Sequence, residues 1–84
     1  MGVYFITFRS VTPAQRAELL LRRNGHFCAL QRTPRWMEEQ GCGYCLRLRQ
    51  RDLSGAVQVL RQGQVPFRKC YRTGAQGNLE EAMV

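Results

Sequence analysis

Cys42-Gly43-Tyr44-Cys45 concentrates most of the reactive chemistry in this 84-residue chain. Two thiols at this spacing can close a small redox disulfide, chelate a soft metal, or work as an attacking and a resolving thiol. Cys28 and Cys70 stand apart in the sequence, and His26 is the single histidine. The second close ligand pair that a structural zinc site usually needs is therefore missing, and no metal or cofactor is expected. Glu38-Glu39 reads as a solvated acidic pair balancing nearby arginines.

The elements that must position these thiols are short. Residues 3–9, VYFITFR, mix aromatic and β-branched types over a strand's length. Ser10 or Thr12 offers an N-cap, with Pro13 at the first helical position. Ala14, Ala17, Leu20 and Leu21 then fall on one helical face, and Asn24-Gly25 supplies a left-handed stop. HFCALQR (26–32) and YCLRLRQ (44–50) read as strands on either side of an irregular loop over 33–43. Asp52 is expected to cap a second helix carrying Leu53, Ala56, Val57 and Leu60, ended by Gly63. PFRKCYR (66–72) completes the set as a fourth strand. Residues 1–73 form a single domain on this reading, and 74–84 a flexible C-terminal tail.

A faint internal repeat, LLLRRNGHFCAL against VLRQGQVPFRKC, supports two related halves. The order predicts an α+β fold, a ferredoxin-like βαββαβ two-layer sandwich. Its four-stranded antiparallel sheet would run 4-1-3-2, with both helices on one face. Strand parity then turns Leu46 and Leu48 to the helices and Cys45, Arg47 and Arg49 to the open face. The cysteine loop would lie beside the end of the first strand and the start of the first helix, gathering Cys42 and Cys45 near Arg9, Arg32 and Arg35. Cations and a helix N-terminus both favour thiolate, so Cys42 is expected to be partly ionised at neutral pH. A glutaredoxin-type CxxC opens a helix, whereas Leu46-Arg47-Leu48-Arg49 continues as a strand. A copper chaperone keeps its CxxC where this chain has Ser10-Val11-Thr12-Pro13.

Composition sets the remaining bounds. The formal charge is +7, and twelve of the thirteen cations are arginine. Such a field attracts nucleic acid, phosphorylated ligands or acidic proteins. No apolar stretch approaches the roughly 18 residues needed to cross a bilayer, so no membrane partner is expected. MGVYFITFRS lacks the features of an export signal, which makes the cytoplasm the expected compartment and reduced thiols the expected state.

Thr33-Pro34-Arg35 followed by Cys42-Gly43 and Leu46-Arg47, behind an aromatic strand and a helix with paired leucines, resembles the selenium/sulfur-carrier-like family, a small bacterial domain of unknown function. The resemblance covers residues 3–72. It implies that Cys42 carries sulfur or selenium as a persulfide or selenosulfide, received from a donor such as a cysteine desulfurase and passed to an acceptor protein. Cys45 departs from the family pattern, where a small residue is usual, and would act as a resolving thiol. Gly43 would let a donor approach closely, and Arg9, Arg32, Arg35 and Arg47 would bind the anionic sulfur or the partner. A carrier or adaptor is expected rather than an enzyme.

Two other classes compete. A basic nucleic-acid-binding module could use the open sheet face, where Phe5 shares a side with Arg9 and Arg47 with Arg49, although the third strand lacks an aromatic-glycine signature. A homodimeric interaction module could pair through the second or fourth strand as sheet edges. Cys28 and Cys70 read as small packing residues, and Trp36 as either a core cap or a contact for a partner.

Overall fold

The structure is a computed structural model that describes residues 3–33, 43–73 and 79–82. Its elements are β1 (Val3–Thr7), α1 (Val11–Arg23), β2 (Cys28–Arg32), β3 (Tyr44–Arg49), α2 (Leu53–Gln62), β4 (Cys70–Thr73) and β5 (Leu79–Ala82). A 3-10 turn over Gln50–Asp52 joins β3 to α2. The strands form one antiparallel sheet in the order β2-β3-β1-β4-β5.

The sheet has five strands rather than the expected four. Leu79-Glu80-Glu81-Ala82 pairs with β4 from Thr73↔Leu79 to Cys70↔Ala82. Leucine, glutamate and alanine favour helix in isolation, so nothing local marks this segment as a strand. The open hydrogen-bonding row of β4 decides instead, helped by Arg72–Glu80 at 3.6 Å and Lys69–Glu81 at 3.8 Å across the two strands. The rest of the expected tail, 74–78 and 83–84, lies outside the described residues. The fourth strand begins only at Cys70, although Arg68 N–H already donates to Thr7 O at 2.8 Å.

Register explains the layers. Ile6 lies opposite Leu46 and Cys70, and Leu48 opposite Cys28, so these buried residues share one sheet face. They form a single core with Phe8, with Ala14, Ala17 and Leu21 of α1, and with Leu53, Ala56, Val57 and Leu60 of α2. Both helices therefore cover the same face. Each large side chain buried there contributes on the order of 1.5–3 kcal/mol.

The helix ends account for the internal repeat. After α1, Gly25 adopts φ 82°, and the bonds Gly25 N→Arg22 O (3.1 Å) and His26 N→Leu21 O (2.9 Å) close the last turn. After α2 the same turn falls on Gln64, at φ 58°, with Gln64 N→Arg61 O at 3.2 Å and Val65 N→Leu60 O at 2.9 Å. Gly63 ends α2 as expected, one residue ahead of that left-handed turn. It is small because a Cβ there would sit 2.5 Å from Leu20 Cδ2.

Helix starts also differ from expectation. α1 opens at Val11 behind an extended Ser10, which places Pro13 third in the helix. Its missing N–H is still among the four that a helix start leaves unpaired. Asp52 precedes α2 without capping it, because its carboxylate is turned to His26 and Arg49 instead.

Candidate functional site

The cysteine loop closes on a neck between β2 and β3. Gly43 takes φ 80°, a left-handed backbone that side-chain-bearing residues avoid, and it is buried. Thr33 N–H donates to Gly43 O at 2.6 Å, pinning the two ends of the loop together. Gly43 is therefore a conformational necessity of the turn into β3 as well as a small residue beside Cys42. Cys42 and Arg35, together with Trp36 and Glu38-Glu39, lie outside the described residues.

Cys45 is the second residue of β3. It stands directly opposite Thr7 on β1 and Gln31 on β2, on the face away from the helices, as strand parity predicts. That face does not expose it: Cys45 has 0% accessibility. Arg47 and Arg49 on the same face reach out to solvent. Thr7 beside it is also buried, and its hydroxyl donates to Lys69 O at 3.3 Å and accepts from Lys69 N–H at 3.2 Å.

Three arginines of the candidate set are described. Arg32 ends β2 with its guanidinium 5.4 Å from the centre of the Tyr44 ring and Nη1 donating to the Tyr44 hydroxyl at 3.5 Å. This stacking holds Arg32 over the first residue of β3, next to the neck. Arg9 is exposed in the β1–α1 connection, two residues beyond Thr7. Arg47 is exposed one pleat along from Cys45, with its guanidinium free of ion pairs among the described residues. Arg32, Arg9 and the start of α1 thus gather at the end of the sheet where Cys45 enters β3.

The remaining thiols are inert by position. Cys28 and Cys70 face the helices on β2 and β4, three strand spacings or roughly 14 Å apart, beyond disulfide reach. Burial pushes the Cys70 thiol up to about 11. It raises Cys28 as well, against the opposing effect of Arg22.

Two clusters escaped the sequence reading. At the far end of the sheet, His26 Nδ1–H donates to Asp52 Oδ1 at 3.3 Å and Arg49 Nε–H to Asp52 Oδ2 at 3.0 Å. Gly55 makes room for this, since a Cβ there would lie 2.6 Å from the His26 ring. Burial works against ionising Asp52, but the hydrogen bonds from His26 and Arg49 outweigh it and hold the carboxyl below its usual range. At the β2 edge, Glu18 accepts from Leu30 N–H at 3.2 Å and Arg22 donates to Cys28 O at 3.1 Å. Two α1 side chains thereby occupy backbone groups that a second copy would need, while β4 is no edge at all. The i,i+4 spacing of Glu18 and Arg22 was visible in the sequence, but their target was not.

Among the described residues no three of His, Cys, Asp and Glu come together as a metal cluster, and no helix is long and apolar enough to cross a membrane. A family model described as "Putative Se/S carrier protein-like" matches residues 3–72, and the chain belongs to that family. No curated protein and no solved structure matches the chain.

Proposed function

We propose that the protein carries sulfur or selenium on Cys42. The observation that weighs most for this reading is the burial of Cys28, Cys45 and Cys70, which leaves Cys42 as the thiol to meet a donor. Family membership supports the same residue. In the transfer step the Cys42 thiolate attacks the outer sulfur of a donor cysteine persulfide. The donor's S–S bond breaks, its thiolate leaves, and a new S–S bond forms on Cys42 with no net oxidation. Delivery to an acceptor thiol is the same exchange in the other direction. With selenium, the product on Cys42 is a selenosulfide.

Arg9, Arg32 and Arg35 supply positive charge for the anionic terminal sulfur, and Arg47 lies one pleat further along β3. Gly43 supplies the left-handed turn that leads from the cysteine loop into β3. Cys45, enclosed between β1 and β2, acts internally: its thiolate attacks the Cys42-side sulfur of the persulfide and expels hydrosulfide, leaving a Cys42–Cys45 disulfide. A dithiol reductant then returns both thiols with two electrons. On this reading the protein is a carrier rather than an enzyme, working with a cysteine desulfurase or related donor in the cytoplasm. The test is uptake of one sulfur atom from a desulfurase reaction by the wild-type chain and its loss in Cys42→Ala.

A further inference from the structure

Most of the open sheet face lies beyond the carrier site, and Arg47 stands on the border between the two. Across β2, β3 and β1 the register sets Ala29, Arg47 and Phe5 in one row, and β4 adds Tyr71 beside Phe5. One pleat toward the far end, Phe27 is 68% exposed, an unusual state for a phenylalanine. The Arg49 guanidinium lies 5.1 Å from the centre of its ring and is paired with Asp52 at 3.0 Å. Val3, Phe27, Ala29, Arg47 and Arg49 line a shallow depression of about 150 Å³.

We propose that this face binds single-stranded nucleic acid, with a base stacked on Phe27 and the backbone phosphates drawn to Arg47. Stacking of bases on exposed rings is tolerant of sequence and needs a flat aromatic surface next to cations. The Asp52–Arg49–Phe27 chain of contacts presents such a surface already ordered. Asp52 offsets the charge of Arg49, so Arg49 serves mainly to orient the ring, whereas the Arg47 guanidinium has no counter-charge among the described residues. The β2–β3 half of the open face carries no acid among the described residues, and Glu81, which shares that face on β5, pairs with Lys69. An exposed ring with two arginines beside it suits a planar base and its phosphate better than the apolar side chains of a docking helix. The stacking end of this surface is distinct from the cysteine end, because Arg49 lies four residues, or roughly 13 Å, along β3 from Cys45, while Arg47 lies between them.

The experiment is fluorescence anisotropy of labelled 12-nucleotide RNA and DNA homopolymers, single-stranded and duplex, titrated with the full chain over a series of salt concentrations. Saturable binding of the single strands is expected, with RNA against DNA telling which source is preferred. Phe27→Ala should weaken it by roughly fivefold or more, and Phe27→Trp should retain it. Arg47→Ala should reduce the salt slope by about 0.7, the share of one phosphate contact on a single strand. Arg23→Ala, at the end of α1, should change neither quantity, and circular dichroism should confirm that each variant is folded. Absence of binding at low salt, preference for duplex, an equal loss in Arg23→Ala, or equal competition by polyglutamate would overturn the proposal, the last by showing a site for acidic protein. Cys42→Ala leaves this site intact, so its failure is independent of the carrier reading.

Discussion

Glu18 on α1 accepts a hydrogen bond from the backbone N–H of Leu30 on β2 at 3.2 Å. A helix side chain thereby takes the place that a neighbouring strand would fill, and Arg22, paired with Glu18 at 3.3 Å, does the same for Cys28 O. Edge strands left open invite pairing between copies. The bond from Glu18 occupies one donor on β2 that a second chain would need.

Glu18→Ala should therefore lose about 1 kcal/mol of stability in urea denaturation, the usual worth of a partly exposed hydrogen bond. The same variant should self-associate more strongly than wild type in light scattering. Glu18→Gln, which keeps an acceptor oxygen, should recover most of both. A monomeric Glu18→Ala would mean that the β2 edge is protected by something else.

Asp52 makes stability depend on acid pH. Its carboxyl sits below its usual range in the folded state, because hydrogen bonds from His26 and Arg49 outweigh the opposing burial. The unfolded chain then binds the proton more readily, so this stabilisation is fully present above the unfolded value of about 3.9 and is lost as pH falls through the folded value. Asp52→Asn should flatten that acid limb in denaturation curves recorded between pH 6 and pH 2, while wild type keeps it.

Cys70 has the opposite sign. Its thiol is raised from 9.0 to about 11, so the folded state holds the proton longer than the unfolded chain does. Stability from this group is present below about pH 9 and falls as pH rises toward 11, a limb that Cys70→Ala should lack. At pH 8 a thiol of this kind is only about one part in a thousand ionised. Iodoacetamide should accordingly label Cys42 in the native protein far faster than Cys28, Cys45 or Cys70, with the slow three appearing only in denaturant.

Gly43→Ala forces a side chain into a backbone at φ 80°. A cost of about 1–2 kcal/mol is expected in denaturation, as for any non-glycine residue in the left-handed region. Sulfur loading on Cys42 should slow as well, because the Thr33–Gly43 bond that closes the loop neck is disturbed.

Much of this arrangement was legible before any coordinates. The alternation in YCLRLR put Leu46 and Leu48 in the core and Cys45 on the opposite face, and Asn24-Gly25 marked the end of α1. Features that depend on a distant neighbour were not legible. The strand character of Leu79–Ala82 comes from the unpaired side of β4, and the alternation in β3 gives the face of Cys45 but not its burial. Asp52 looked like a helix cap by position, yet His26 and Arg49, brought close only by the fold, take its carboxylate. Gln64 hides a left-handed turn because glycine stands one residue too early.

The central claim is that Cys42 is the thiol that carries sulfur or selenium. Its most direct test is intact and peptide mass spectrometry of the reduced protein after incubation with a cysteine desulfurase and cysteine, alongside Cys42→Ala and Cys45→Ala. A gain of one sulfur atom is expected, mapped to the peptide holding Cys42, absent in Cys42→Ala and longer-lived in Cys45→Ala. A gain that persists in Cys42→Ala, or no gain in a folded wild-type chain, would contradict it.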